Sequence, residues 1–199
     1  MWITWKHERA DFGPGLTFEE KVEVFYEQTL GWQLHIADLV ANGGTTFGEF
    51  KQGEPGYGVR SIRHSAFAVL HMCLSYIEMI GSLVDRAART PMKRFESGLR
   101  AIPGLIDRGQ ITAALVRRLY DGARCGLYHE GRTRPGVGVG QPPDGNAIGY
   151  QAGVIGISPE RLPRVLKAHL EDFRGQLLTR SSKTLCARFE ERFDKGFAK

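Results

Sequence analysis

The sequence predicts an all-α protein, an up-and-down bundle of four to five helices with a small β-hairpin near residues 147–157. Apolar residues recur at helical spacing through most of the chain, and strands and helices do not alternate as they do around a parallel sheet. With 199 residues, 42% hydrophobic and 25% charged, the chain suits one soluble domain with a sizeable core. We expect an N-terminal arm over 1–17, the bundle over 18–178 and a C-terminal helix over 179–199 on the same domain.

The first predicted helix begins after Thr17, because threonine caps helix N-termini and the glutamates that follow suit the positive end of the helix dipole. Gly31 is expected to kink this helix, which then resumes and ends at the Asn-Gly-Gly sequence of residues 42–44. The glycine-rich residues 43–60 predict a loop.

Three more helices are predicted in the middle of the chain. A long one covers about residues 61–88, a shorter one begins at Pro91 and ends before Pro103, and the third runs over about residues 109–127. Each carries an apolar stripe that faces a core. In the third helix the stripe is Ile111, Leu115, Leu119, Ala123 and Leu127.

The last third of the chain begins with a loop rich in glycine and proline over residues 131–146. Two short apolar runs on either side of residues 151–153 predict the hairpin. Ser158 and Pro159 are expected to start the next helix, and a final helix covers residues 182–197.

The charge of the chain is unevenly distributed. The net charge is +5, and 19 of the 27 basic residues are arginines. Residues 1–50 hold three basic and eight acidic groups, a net −5, whereas residues 51–199 hold 24 basic and 14 acidic groups, a net +10. This asymmetry favours an anionic partner for the later part of the chain, and an ordinary solvated basic face is the alternative.

The cysteines and the apolar stretches favour the cytoplasm. Cys73, Cys125 and Cys186 are odd in number and widely spaced, which disfavours a disulfide framework and a cysteine-based zinc site. The first residues have no apolar signal-peptide core. The longest apolar stretch, residues 66–84, contains several polar residues and is not expected to span a membrane.

One segment, residues 120–134, combines the residue types that phosphodiester chemistry needs. Arg124 and His129 lie near the predicted end of a helix that a glycine-rich loop follows. A guanidinium stabilises charge that develops on a phosphate, and an imidazole moves protons near pH 7. Five arginines fall within 18 residues here: Arg117, Arg118, Arg124, Arg132 and Arg134.

The spacing of Arg124 and His129 is weak evidence alone, because Arg164 and His169 repeat it. His169 lies on the apolar stripe of its predicted helix, so we expect it in the core or at an interface. Arg124 and His129 lie beside glycines at a helix end, where side chains can reach a shared cleft.

The sequence RCGLYHEG, residues 124–131, resembles the signature of HEPN domains (higher eukaryotes and prokaryotes nucleotide-binding), in which an arginine precedes a histidine by four to six residues. The order of the predicted elements over about residues 61–178 is also similar. The resemblance implies an all-α domain that commonly dimerises, so that two copies of the motif line one cleft. It implies a metal-independent endoribonuclease without a cofactor, of the kind found in toxin–antitoxin and phage-defence systems.

The resemblance also assigns roles and partners. Arg124 would position and stabilise the scissile phosphate, and His129 would act as general acid or base in the attack of the ribose 2′-hydroxyl, leaving a 2′,3′-cyclic phosphate. The implied partners are RNA or a nucleotide, a second copy of the chain and a cognate antitoxin protein, with no membrane. The candidate supporting residues are Arg117, Arg118, Cys125, Tyr128, Glu130, Arg132 and Arg134, through stacking and charge.

Two positions depart from the family pattern. Active members often carry Asn, Asp or His directly after the arginine, where this chain has Cys125, and a thiol is a weak hydrogen-bonding group. Some toxin members carry tyrosine two residues after the histidine, where this chain has Gly131. The alternatives are therefore a non-catalytic HEPN-like module that binds RNA, nucleotides or a protein, and a purely structural role. In the structural role, Arg124 and His129 complement a helix dipole and glycines end the helix.

Two other patterns are weaker. His64, His71 and Glu78 are seven residues apart and share a helix face, but neighbours about 10 Å apart cannot hold one metal ion. We expect a solvated or interface face there and no metal. The GVGVG sequence at residues 136–140 lacks the strand, helix and lysine of a phosphate loop and is predicted to be a flexible loop.

Overall fold

Helices make up most of the protein. The structure is a computed structural model that describes residues 4, 6–8, 15–46, 56–142 and 144–197. Most of the predicted N-terminal arm therefore lies outside the described residues. Within them the helices form six units, with a small hairpin as predicted. Five of them lie within residues 18–178, where four to five are predicted, and the sixth is the predicted C-terminal helix, which a turn at Arg180 with φ +51° separates from the helix before it.

The first helical unit contains a wide turn at the predicted kink. Helix α1 (Phe18–Thr29) begins with a capping box, in which the Thr17 hydroxyl accepts a hydrogen bond from the Glu20 N–H and the Glu20 carboxylate accepts one from the Thr17 N–H. A π-helical turn at Leu30–Leu34 follows. Helix α2 (His35–Asn42) then continues to the predicted glycine stop.

Helix α3 (Ala66–Val84) lies at the centre of the core and is shorter than predicted at both ends. Helix α4 (Pro91–Ala101) lies directly against it, because a Cβ on Gly81 or Gly98 would overlap a backbone carbonyl oxygen of the other helix. Of the described helices, α3 alone is long and apolar enough to cross a membrane by length and composition. Half of that apolar window is buried inside the protein.

The helix predicted over residues 109–127 consists of three consecutive segments, an α-helix, a π-helical turn and a second α-helix. Helix α5 (Ala113–Leu119), a π-helical turn (Tyr120–Cys125) and helix α6 (Gly126–Glu130) follow one another without a break. The predicted apolar stripe is confirmed, since each of its members is at most 7% exposed: Ile111, Leu115, Leu119, Ala123 and Leu127.

A three-stranded sheet packs beside the helices. Strands β4 (Ile148–Gln151) and β5 (Val154–Ile157) form the predicted antiparallel hairpin, whose turn residues Ala152 and Gly153 both have positive φ. Strand β3 (Val137–Val139) pairs with β5 in parallel. The prediction of a flexible loop is therefore wrong for β3, because its partner strand lies too far along the chain for a local pattern to indicate it.

A second correction concerns the loop predicted over residues 43–60. Two short strands at its ends, β1 (Gly44–Thr45) and β2 (Gly58–Val59), pair in antiparallel fashion. The residues between them lie largely outside the described part of the chain. The pairing brings the end of α2 close to the segment that leads into α3.

The last two helices cover the core on the side of α1 and α3. Helix α7 (Leu162–Leu178) starts later than predicted. The Ser158 hydroxyl still accepts a hydrogen bond from the backbone N–H of Arg161, over 3.2 Å, in the turn before the helix. Helix α8 (Lys183–Phe197) matches its predicted span within one residue. Its Phe189 ring lies 5.4 and 5.9 Å, between centroids, from two phenylalanine rings at α1.

Candidate functional site

The predicted site lies where the π-helical turn and α6 meet a partly exposed side of α3. Arg124 is in the π-helical turn, and Tyr128 and His129 are in α6. His71 and Glu78 reach the same place from α3. Single π-helical turns inside α-helices are frequent at functional sites, so the local geometry agrees with the position of the sequence motif.

Arg124 is held by α3 through one side of its guanidinium group. Its Nε donates a hydrogen bond to Oε2 of Glu78 over 3.2 Å, and both side chains are 19% exposed. Among the described residues this is the guanidinium's only hydrogen-bonding partner, so the terminal nitrogens keep their donors. An arginine held at Nε presents a planar pair of donors that fits a phosphate.

Tyr128 lies between the groups of the site. Its side chain is 60% exposed, and the Arg124 guanidinium carbon is 4.7 Å from its ring centroid. The His71 ring stacks on it at 5.5 Å between centroids, with planes 7° apart. The His129 ring meets it edge-on, also at 5.5 Å. Arg124 and His129 therefore border one tyrosine ring rather than touching each other.

Cys125 supports the buried side of the π-helical turn. Its half-buried thiol interacts with Tyr120, whose ring meets that of Phe95 at 5.6 Å. Burial raises the pKa of the Tyr120 hydroxyl, and the nearby Cys125 and Glu78 add to this rise. Cys125 itself is not bonded to the Arg124 side chain, which is held by Glu78 of another helix.

Two of the surrounding arginines pair with acids of their own segment. Arg134 Nη2 lies 2.7 Å from Glu130 Oε1, and Arg117 Nε lies 3.7 Å from Asp121 Oδ2. Exposed pairs of this kind add little stability, but they neutralise part of the positive charge. Neither arginine contacts Tyr128 in the described structure.

The other two arginines and the nearby glycines pack in or beside the turn that follows α6. The Arg118 guanidinium lies against Gly136, whose φ is +86° and which has no Cβ to obstruct it. Arg132 is exposed, and its carbonyl oxygen would be 2.7 Å from a Cβ on Gly126. Gly131, with φ +69°, ends the helix. Of the five clustered arginines, the structure brings Arg124 alone to the ring of Tyr128.

His71 and Glu78 are the site residues that the sequence interpretation left out. Their spacing of seven residues indicated one face of a helix, and that face contacts α6 through His71 and the π-helical turn through Glu78. His64 lies in the turn before α3, with φ +62°, and does not join them. Among the described residues, no group of three or more His, Cys, Asp or Glu side chains is placed to hold a metal ion.

Comparison with known protein families, curated proteins and solved structures finds no relative of this chain. No family model matches the chain, and neither a curated protein nor a solved structure does. The functional interpretation therefore depends on the residues of the site.

Proposed function

We propose that this protein is a metal-independent endoribonuclease that resembles HEPN domains and cleaves RNA with Arg124 and His129. One observation carries the proposal. Glu78 holds Arg124 at Nε and leaves its terminal nitrogens available beside the exposed Tyr128 ring, which His129 also borders. A hydrogen-bond donor for a phosphate, an acid–base group and an exposed aromatic ring are thus close together on one surface.

The proposed reaction is an internal transesterification. The Arg124 terminal nitrogens bind the two non-bridging oxygens of the scissile phosphate and stabilise the additional negative charge of the transition state. His129 takes the proton of the ribose 2′-hydroxyl as its oxygen attacks phosphorus. The products are a 2′,3′-cyclic phosphate and a 5′-hydroxyl end.

We extend the proposal to the partners and the arrangement of the fold. Exposed apolar side chains adjoin the site, since Tyr128 is 60% and Phe67 of α3 is 41% exposed, and they offer a surface for a second copy of the chain. An up-and-down order of the helices, a cytoplasmic location and a cognate antitoxin protein belong to the same proposal. The free thiols of the three cysteines agree with a reducing compartment.

The test is RNA cleavage in the presence of EDTA. We expect the wild-type protein to cleave single-stranded RNA and His129→Ala to lose the activity, because the variant lacks the group that takes the 2′-hydroxyl proton. His64→Ala is the matched control, since this exposed histidine lies outside the site and its loss should leave the rate unchanged. Undiminished cleavage by a pure His129→Ala preparation would contradict the proposal.

A second candidate function is a non-catalytic module that binds RNA or a nucleotide. Cys125 favours it, because active members of the family that the motif resembles often carry Asn, Asp or His at this position and a thiol is a weak hydrogen-bonding group. This function predicts measurable RNA affinity without turnover, reduced about tenfold in Arg124→Ala by loss of one phosphate contact. Fluorescence anisotropy with a labelled oligoribonucleotide, followed by gel analysis of the same sample, distinguishes the two functions.

A further inference from the structure

Cleavage by transesterification needs two proton transfers, and the proposed function assigns only one. A base takes the 2′-hydroxyl proton, and an acid protonates the 5′-oxygen as it leaves. His129 can fill the first role. The second requires another titratable group on the opposite side of the same phosphate.

His71 is the second imidazole of this surface. It is exposed on α3 and stacks on Tyr128, while His129 meets the same ring at its edge. Each imidazole centroid lies 5.5 Å from the tyrosine centroid, so the two are separated by at most twice that distance. Two histidines from two different helices thus approach the ring that Arg124 also borders.

We propose that His71 is the general acid of the cleavage reaction and acts with His129 of the same chain. This inference rests on the proposed function. His71 suits the acid role because it lies parallel to an aromatic ring, whose electron-rich face stabilises an imidazolium. The His129 ring is nearly perpendicular to the tyrosine ring, with planes 76° apart.

The groups of this surface come from three elements. Glu78 is on the same helix as His71 and pairs with Arg124 of the π-helical turn, whose guanidinium carbon lies 4.7 Å from the Tyr128 centroid. Tyr128 and His129 come from α6.

The step is balanced in bonds and protons. The bond from the 2′-oxygen to phosphorus forms, and the 2′-proton passes to His129. The bond from phosphorus to the 5′-oxygen breaks, its electron pair stays on that oxygen, and His71 supplies the proton. One chain thus holds both proton-transfer groups, and the dimeric cleft expected from the family would contain two complete sites.

The test compares two dinucleotide substrates that differ in the leaving atom, oxygen or sulfur at the 5′ position. A thiolate leaves without a proton, because thiols are much stronger acids than alcohols. We expect His71→Ala to lower the rate about 10²- to 10⁴-fold with the oxygen substrate and less than about tenfold with the sulfur substrate. His129→Ala should remain inactive with both, since the base is needed for either.

The other outcomes would contradict either the role of His71 or the proposed function. An equal loss of rate with both substrates, or no loss, would show that His71 is not the acid, while cleavage by the wild type would leave the proposed function intact. An inactive wild type would overturn the proposed function together with this inference. His71→Gln provides a second variant of similar size, and circular dichroism checks that both variants fold.

Mixing the two inactive variants tests whether the histidines act within one chain. A mixed dimer of His71→Ala and His129→Ala has no chain with both histidines, so we expect no recovery of activity. Recovery to a substantial fraction of the wild-type rate would place His71 and His129 of one site on different chains and would contradict the inference.

Discussion

Two helices of this protein carry an arginine and a histidine five positions apart, in entirely different surroundings. His169 of α7 is 7% exposed, shares a 2.8 Å hydrogen bond with the Tyr76 hydroxyl and stacks on Phe173. His129 of α6 is exposed and borders Tyr128. The arginines differ in exposure, since Arg164 is 65% exposed and lies 3.9 Å from Asp38 of α2, whereas Arg124 is 19% exposed and lies 3.2 Å from Glu78 of α3.

The difference shows that the spacing of an arginine and a histidine indicates a functional site only when both side chains lie on the same exposed surface. In α7 the histidine lies on the apolar stripe and the arginine projects into solvent, so the two groups cannot act on one phosphate. In α6 the helix ends at a glycine, and both groups border one exposed ring. The expectation that His169 belongs to the core is confirmed by its burial.

The largest difference between the two pairs should be in catalysis. We expect Arg124→Ala to lower the rate of RNA cleavage about 10²- to 10³-fold, as does removal of one donor to a developing oxyanion. Arg164→Ala should change the rate less than about twofold, since an exposed arginine outside the site affects only the general charge. Initial rates in EDTA measure both, and equal effects would break the distinction between the pairs.

The pH dependence of stability should distinguish the histidines next. Burial lowers the pKa of His169 to about 4, so between pH 6.5 and 4 the unfolded chain binds a proton that the folded protein does not. Stability is therefore lost as the pH falls through this range, by about 3 kcal/mol for this residue. Urea unfolding at several pH values should show this loss in the wild type and not in His169→Leu. A variant that loses stability as steeply as the wild type would contradict it.

At pH 7 the two alanine variants should differ in stability by a smaller amount. His169→Ala leaves the buried Tyr76 hydroxyl without its partner and opens a cavity, which costs about 2–3 kcal/mol. His129→Ala removes an exposed ring and should cost less than about 0.5 kcal/mol. Urea midpoints at constant slope give both values, and a reversed order would mean that His129 has a structural role.

The smallest effect concerns the acid that holds Arg124. Glu78→Gln keeps an acceptor for Nε and removes the charge that competes with a phosphate, so we expect RNA binding about three- to tenfold tighter. Glu130→Gln is the matched control, because its partner Arg134 lies apart from Tyr128 and the effect should be below about twofold. Weaker binding in Glu78→Gln would show that the negative charge of Glu78 is needed to hold Arg124 for the phosphate, and would contradict this prediction.

The sequence predicted what depends on local patterns. The capping box at Thr17, the buried stripe from Ile111 to Leu127 and the hairpin turn at Ala152 all follow from residues close together in the chain. The exposure of His129 followed from the glycine that ends its helix.

The remaining features depend on contacts between distant residues. Glu78 and Arg124 are 46 positions apart, and their pairing requires α3 and the π-helical turn to meet. The parallel pairing of β3 with β5 likewise has no local signal, so a glycine-rich segment looked like a loop. Helical spacing placed His71 and Glu78 on one face, but only tertiary packing decides what that face contacts.

The ends of the RNA products give the most direct measurement of whether Arg124 and His129 form the reactive pair. Wild type, His129→Ala and His169→Leu are incubated with one oligoribonucleotide in EDTA, under conditions where all three are folded, and the fragments are identified by mass spectrometry. We expect 2′,3′-cyclic phosphate and 5′-hydroxyl ends from the wild type and His169→Leu, and no fragments from His129→Ala. The same fragments from His129→Ala at the wild-type rate would contradict the assignment.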